Sequence, residues 1–429
     1  MLGLWPILPI VIDDQELGNR YPLQFEEHVD NIVAALEHRD RVCQIGILNL
    51  SRSMLRIFTE MMQEPFPALT CLYLDSESEA PILLSDSFLG GSAPHLRSLT
   101  LANIPFPSLP ILLLTTKELV QLRLWSVSDS GYISAAAMVI CLSSLTRLED
   151  LEIRFNFRSL PDGSNQRPSS LRCVDLPTLA HFNFLGTNEY IEELVATINA
   201  PLLQDIFVAF FDGPLQVFDT SKLNQFIGRA EKFKMFHRAV VEFDRGALPQ
   251  FSLFEDPVKG ATLQFMVSCT PPDQQLLSLA ALSSSPSSPL RPSSFERLEI
   301  PNGFTSREYM KKIRWLELLQ PFTSAKDLYL GSVVAPRITR MLRDFARIST
   351  AEVLPSLQHI FVQDSRKLEA LLEFIGPFIA ARQLFGRPVA LHRWDELQKD
   401  DGGEEDDGVE EDEDEEEYDG EEDDVWVAF

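Results

Sequence analysis

A leucine-rich motif recurs along most of the chain, and it constrains the fold more than any other feature. The motif places apolar anchors in the pattern L-x-x-L-x-L, with other apolar residues allowed at each anchor. Ten copies share a nearly regular spacing of 23 to 32 residues, interrupted once between Ile206 and Leu298. Repetition at such a period predicts stacked, equivalent structural units. The middle anchors are Ile45, Leu72, Leu99, Leu122, Leu151, Phe182, Ile206, Leu298, Leu328 and Ile360.

Each copy predicts a short strand, and the residues between copies predict a helix. The alternating x-L-x-L half of the motif is typical of a strand with one buried face. A proline two residues before the first anchor favours extended chain and ends the preceding helix. This proline occurs at Pro67, Pro94, Pro177, Pro201 and Pro355. Apolar spacing predicts helices at roughly 25–38, 54–62, 133–145, 188–199, 220–230, 307–320, 335–345 and 365–386.

One strand and one helix cannot bury an apolar core alone, so such units must stack side by side. The predicted fold class is α/β, with a parallel sheet and an outer layer of helices. We expect a leucine-rich-repeat-like solenoid with irregular repeats of 23–32 residues, spanning residues 1–394.

The long interval between the seventh and eighth copies is less regular. Two apolar pairs, Phe233/Phe236 and Leu263/Phe265, are interpreted as degenerate repeats that fill it. The serine- and proline-rich stretch 270–294 predicts a flexible insertion. The repeat pattern is therefore expected to continue through this interval.

Charge is concentrated at the C-terminus. The net charge is −27, and the stretch from Asp400 to Phe429 holds 19 acidic residues and no basic ones. Like charges at this density repel one another, which predicts a disordered acidic tail over residues 395–429. No cluster of Lys and Arg suited to phosphate contacts is visible in the sequence, so binding to nucleic acid or to a membrane surface is not expected.

No motif for catalysis or cofactor binding is present in the sequence. The five cysteines are widely spaced, and the seven histidines show no metal-ligand spacing. We therefore expect a non-enzymatic protein with no cofactor and no metal. Reduced cysteines favour the cytoplasm or the nucleus, and no apolar run approaches the length of a transmembrane helix.

The chain resembles the repeat region of fungal F-box proteins. The resemblance covers about residues 5–390 and rests on the Trp5-Pro6 and Pro9-Ile10 run, the segment 36–42 and the Pro-x-Leu-x-x-Leu-x-Leu strands. It implies an interaction module that presents substrates to a cullin–RING ubiquitin ligase.

Two features depart from that family's pattern. The asparagine that follows the strand in standard repeats is replaced, for example by Glu77 and Ile104. The F-box, a short helical module expected before the repeats, is not found, since the repeats begin almost at Met1. Either an F-box is encoded upstream, in which case ligase subunits are partners, or the repeats act alone.

The residues between the anchors are expected to point away from the core and to form the functional surface. This column mixes aromatic and charged residues, a composition typical of protein-binding surfaces. The alternative is that these aromatics pack under a loop or the terminal helix. The candidate protein-binding residues are Tyr73, Arg123, Trp125, Arg154, Phe207, Tyr329 and Phe361, and they are predicted to line one concave face.

Two functions follow from these features. The first is a protein-interaction solenoid that recognises substrates for a ubiquitin ligase. The second is a stand-alone scaffold, or a binder of basic proteins that captures them through the acidic tail.

Overall fold

The computed structural model describes most of the chain as far as Trp394, which belongs to a single compact unit. The predicted insertion at 270–294 and the acidic tail at 395–429 lie outside the described residues. The residues that the structure describes are 8–14, 25–77, 82–156, 173–210, 221–234, 237–243, 249–254, 262–267, 295–302, 315–320, 322–346, 353–363 and 368–394.

The described strands form one large sheet of fifteen members and a small sheet of two. In the large sheet the order is β1-β2-β3-β4-β5-β6-β8-β10-β13-β12-β11-β14-β15-β16-β17, and β7 pairs with β9 in the small one. The strand bounds are β1 Ile10–Asp14, β2 Val42–Leu50, β3 Cys71–Ser76, β4 Ser98–Ala102, β5 Gln121–Val127, β6 Asp150–Phe155, β7 Val174–Asp175, β8 His181–Gly186, β9 Ile198–Asn199, β10 Asp205–Phe210, β11 Arg238–Phe243, β12 Pro249–Phe254, β13 Thr262–Val267, β14 Arg297–Ile300, β15 Asp327–Leu330, β16 His359–Val362 and β17 Ala390–Arg393.

Helices connect most of the strands, and helices that are consecutive in the chain contact one another, as in the pairs α3–α4, α4–α5, α5–α6 and α8–α9. Where the structure describes them, the predicted helices agree with the observed ones, but residues 307–314 and 365–367 of two predicted helices lie outside the described residues. The helix α3 was not predicted, because its apolar run shows no helical period. The helix bounds are α1 Phe25–Leu36, α2 Arg52–Met61, α3 Leu109–Thr115, α4 Ala135–Leu142, α5 Asn188–Val195, α6 Ser221–Arg229, α7 Trp315–Leu319, α8 Ala335–Ala346 and α9 Leu368–Leu384.

The core lies on the helix-covered side of the sheet and is built from the motif anchors. All ten predicted middle anchors are buried, each with at most 2% of its surface exposed. Burial alternates along β3, where Leu72 and Leu74 are buried and Cys71 and Tyr73 are only partly covered. The predicted α/β class, with its large parallel sheet, is confirmed.

The sheet departs from the prediction between β10 and β14. There, β11, β12 and β13 follow one another antiparallel, and they enter the sheet in reverse chain order. A parallel connection needs a dozen or more residues. Only residues 244–248 link β11 to β12, and only 255–261 link β12 to β13. The prediction of an entirely parallel sheet is therefore wrong at β12.

One of the two proposed degenerate repeats is also misplaced. Phe233 lies in the 3-10 turn Glu231–Lys234, and the strand begins five residues later at Arg238. Leu263 does lie in a strand, β13, with its side chain buried. Phe233 is as buried as an anchor although it lies in a turn, and Phe236, the other half of the proposed pair, lies outside the described residues.

Asparagine does recur after the strands, but one position earlier than in standard repeats. Asn49, Asn103 and Asn302 each stand two residues after the last anchor of a motif. The first two adopt left-handed backbone conformations, with φ of 53° and 56°, which asparagine tolerates better than most residues. The third accepts a hydrogen bond from the backbone N–H of Val333 at 2.8 Å, which links neighbouring units.

Candidate protein-binding face

The side chains that alternate with the anchors lie on the side of the sheet opposite the core, which we call the open face. The register of the paired strands places Tyr73, Thr100, Arg123 and Glu152 side by side in one row of this face. Glu299 and Tyr329 are neighbours in a later part of the same row. The structure places all seven predicted residues on this face. Arg154 is exposed and the other six, Tyr73, Arg123, Trp125, Phe207, Tyr329 and Phe361, are half-buried.

Two of the predicted aromatic residues meet across an intervening strand. Tyr73 on β3 and Trp125 on β5 pack edge to face, with ring centroids 6.0 Å apart at 80°. Strand β4 lies between them and presents the small residues Thr100 and Ala102, which are 3% and 4% exposed. The two large rings therefore cover the small residues of β4 and support each other.

A buried glutamate lies between the two arginines beside this pair, and Arg123 also donates a hydrogen bond to Asp150 at 2.6 Å. Glu152 is 5% exposed, and its carboxylate lies 2.5 Å from Nε of Arg154 and 3.5 Å from Nε of Arg123. The Arg154 guanidinium in turn lies over the Trp125 ring, 5.6 Å from its centroid. A cation held over an indole face is a favourable arrangement. We call Tyr73, Arg123, Trp125, Glu152 and Arg154 the N-terminal cluster.

The two aromatics near the other end of the sheet belong to a stack of three rings. The rings of Tyr329 and Phe361 are nearly parallel, with an interplanar angle of 7° and centroids 4.3 Å apart. The Phe361 ring also stacks on the His392 ring, with centroids 4.9 Å apart. The stack forms because adjacent strands stand about 4.8 Å apart and present these residues in register. Trp394 packs edge-on against Tyr329 at 5.4 Å.

The arrangement of a buried glutamate between two arginines recurs beside this stack. Glu299, 3% exposed, accepts hydrogen bonds from Nε and Nη2 of Arg238 at 2.5 and 2.7 Å, and from Nε of Arg297. Arg297 lies over the Tyr329 ring, 3.9 Å from its centroid. The C-terminal cluster comprises Arg238, Arg297, Glu299, Tyr329, Phe361, His392 and Trp394.

Five members of the C-terminal cluster were missing from the predicted set, namely Arg238, Arg297, Glu299, His392 and Trp394. Arg297 occupies the first open-face position of its motif, a row that the prediction did not use. Arg238 was missed because its strand was misplaced. His392 and Trp394 were missed because β17 has lost the anchor pattern, and only its middle anchor, Leu391, can be matched.

Phe207 lies in a polar groove that borders the N-terminal cluster, because Arg123 and Glu152 also line it. The groove is also lined by Asp150, His181, Asn183 and Asp205. His181 Nδ1 lies 2.9 Å from the Asp205 carboxylate, whose other oxygen accepts a hydrogen bond from the backbone N–H of Thr262. The carboxylates that line the groove are already paired within the protein.

The open face suits recognition of a protein surface. Partial burial, with the nearby Asp75 carboxylate, raises the pKa of Tyr73, so its phenol remains a neutral hydrogen-bond donor at physiological pH. Aromatic and arginine side chains are the types that most often dominate binding energy. Within the described part of the chain, no group of three or more His, Cys, Asp or Glu side chains could hold a metal ion.

Comparison with known proteins adds no relative. No protein-family model matches the chain, and no curated protein matches it significantly in sequence. None of the helices described here is both long and apolar enough to cross a membrane.

Proposed function

We propose that this protein is an interaction module that binds a protein partner on the open face. The observation that carries the proposal is the recurrence of one arrangement, an Arg–Glu–Arg group with an arginine over an aromatic ring, at two places on that face. By its resemblance to fungal F-box repeat regions, we further propose that the partner is a substrate of a cullin–RING ubiquitin ligase, bound in the cytoplasm or nucleus.

Support for a leucine-rich-repeat-like solenoid comes from the order of strands and helices. From β1 to β6, and again from β14 to β17, each strand pairs with its immediate neighbours in the chain. Most pairs of consecutive helices are in contact, among them α3–α4, α4–α5, α5–α6 and α8–α9. This is the arrangement expected when similar units stack and each contacts only its neighbours. The reversed segment β11–β13 then replaces the missing regular repeats.

The two clusters are suited to act as anchors because their side chains are ordered in advance. An almost fully buried glutamate lies between the arginines of each pair, and Arg123 is also hydrogen-bonded to Asp150. Little side-chain entropy is therefore lost when a partner binds. Strands β6 and β14 are six steps apart in the sheet, which corresponds to about 29 Å at the usual strand spacing. A partner segment of about nine extended residues spans that distance.

The test is affinity capture from cell extract with four forms of the full chain, the wild type and three variants. Trp125→Ala and Tyr329→Ala each remove the centre of one cluster. Ile140→Ala is the matched control, because Ile140 is an exposed apolar residue on α4, in the helix layer. We expect one or more proteins to be captured by the wild type and by the control, and to be depleted by both cluster variants. Equal capture by all four forms would refute the proposal.

The ligase part of the proposal has its own test. If an upstream F-box is required for docking, this chain captures its partner but does not capture the ligase's adaptor subunit. Fusing an F-box ahead of the chain should then restore adaptor capture and lead to ubiquitination of the captured partner. Adaptor capture by the chain as it stands would mean that a segment within it replaces the F-box.

The acidic tail favours a second candidate, the binding of basic proteins. Its 19 acidic residues carry most of the net charge, and such a segment attracts cationic partners with a strong dependence on salt. Core histones are a suitable probe. Histone binding that is lost on deletion of residues 400–429 but kept in Trp125→Ala would support this function over the first.

A further inference from the structure

We propose that a cationic groove near the end of the compact unit binds an acidic, partly apolar segment of a partner protein. The groove lies where β15, β16 and β17 begin, beside the C-terminal end of α9. It contains no member of either cluster, although its lining residue His359 contacts His392 of the C-terminal cluster at 3.0 Å. We call it the strand-start groove. It is lined by Lys326, residues 355–359, Arg382 and residues 386–390. The proposal does not depend on the function proposed for the open face.

The charge of the groove is one-sided. Its lining includes Lys326, Arg382 and Arg387 and contains no Asp or Glu. Lys326 is partly neutralised by Glu296, 2.7 Å away on the surface. Arg387 is exposed and makes no ion pair with the residues that the structure describes. The groove therefore presents a net positive charge on a body that is otherwise acidic.

A buried arginine adds to this charge from within the wall. Arg382 is 1% exposed, and its Nη2 donates to the backbone carbonyls of Pro355 and Leu357 at 3.0 and 3.1 Å. Its Nε and Nη1 have no acceptor in the described part of the chain. Burial, together with the Arg387 charge, lowers the pKa of this guanidinium, yet an arginine stays protonated in proteins. A buried charge with unmet donors is stabilised when an anion approaches.

An apolar pair distinguishes a protein segment from a small free anion as the occupant. Leu384 and Phe385 are 88% and 67% exposed, the highest values among the large apolar residues described. They lie between Arg382 and Gly386 in the chain, where α9 ends and the glycine takes a φ of 71°. Exposed apolar side chains beside fixed charge mark interaction sites. The occupant that satisfies both features has a carboxylate next to a large apolar side chain.

The test measures binding of a fluorescein-labelled peptide of repeated Glu-Glu-Phe units to the full chain by fluorescence anisotropy. Physiological salt is used so that the charge of the tail is screened. We expect saturable binding that becomes about tenfold weaker in Arg387→Glu. Leu384→Ser combined with Phe385→Ser should weaken it severalfold. Arg147→Glu, which alters an exposed arginine just before β6, is the matched control and should leave the affinity unchanged.

Further arms separate the other outcomes. The wild-type chain should bind a peptide with Gln in place of Glu no more tightly than Arg387→Glu binds the Glu peptide. The variant Trp125→Ala should bind the Glu peptide with the same affinity as the wild type. Absence of saturable binding, or equal affinity for wild type and Arg387→Glu, would overturn the proposal. Displacement by inorganic phosphate with no effect of the Leu384 and Phe385 changes would also overturn it, because the site would then recognise a small anion.

Discussion

The sharpest test of the open face compares two alanine substitutions on neighbouring strands, Leu99→Ala and Trp125→Ala. Leu99 lies on β4 with its side chain fully buried, paired in register with Leu72 and Leu122. Removing most of such a side chain leaves a cavity in a packed core. We expect Leu99→Ala to lower the free energy of unfolding by about 2–5 kcal/mol.

Trp125 is larger but supports less of the structure. It is half-buried and contacts Tyr73 edge to face and Arg154 through the indole ring. An aromatic pair contributes about 0.5–1.5 kcal/mol, and an exposed cation–π contact about 0.5–1 kcal/mol. Its indole N–H has no acceptor among the described residues, so no hydrogen bond is lost. Together these two contacts contribute about 1–2 kcal/mol beyond the buried area of the ring. Because Trp125 is partly exposed and its removal leaves no closed cavity, we expect Trp125→Ala to cost less stability than Leu99→Ala.

The assay is urea denaturation followed by circular dichroism, with the midpoint compared among wild type and both variants. Partner capture is then measured below both midpoints. The expected result is a large midpoint shift with retained capture for Leu99→Ala, and a small shift with lost capture for Trp125→Ala. If Trp125→Ala shifts the midpoint as far as Leu99→Ala does, Trp125 belongs to the core and the proposed binding site is wrong.

Three further predictions concern the interior. Tyr190→Phe should leave the melting temperature unchanged or raise it slightly, because the buried Tyr190 hydroxyl has no partner among the described residues and its desolvation is uncompensated. Cys141 should resist iodoacetamide at pH 8 in the native protein while the exposed Cys173 is alkylated, because burial raises the pKa of the Cys141 thiol to about 11 and only the thiolate reacts. Gly186→Ala should destabilise by roughly 1–3 kcal/mol, since the added Cβ would lie 2.7 and 2.8 Å from two phenylalanine rings.

Each of these predictions has a result that contradicts it. A clear drop in melting temperature for Tyr190→Phe would show that the hydroxyl has an acceptor. Equal alkylation of Cys141 and Cys173 at pH 8, measured by peptide mass spectrometry, would show that Cys141 is accessible. Because the folded state holds the Cys141 thiol in its neutral form, the raised pKa also makes the free energy of unfolding depend on pH. This contribution to stability is present below pH 9 and is lost as pH rises through about 11. An unchanged unfolding midpoint for Gly186→Ala would mean that the rings move aside freely.

The sequence by itself determined which residues are buried and which lie on the open face. The motif has a period of two within each strand, and a strand sends successive side chains to opposite faces, so each anchor implies its exposed neighbours. Tyr73 and Phe361 could be assigned to the same side of the sheet for this reason. The helices followed from apolar spacing, except at α3, where the run Leu109–Thr115 is apolar all round and carries no period.

Which of these residues meet was decided by the tertiary structure. Tyr73 and Trp125 touch across a strand because β4 contributes only small side chains there, a relation between three separate strands. Arg238 and Glu299 are 61 residues apart and become partners only because β11 pairs with β14. That pairing results from short connections that force antiparallel turns between β11 and β13. The motif determines which side chains of each strand face the core and which face the open side. The order of the strands depends instead on connection lengths and on packing, which no single motif contains.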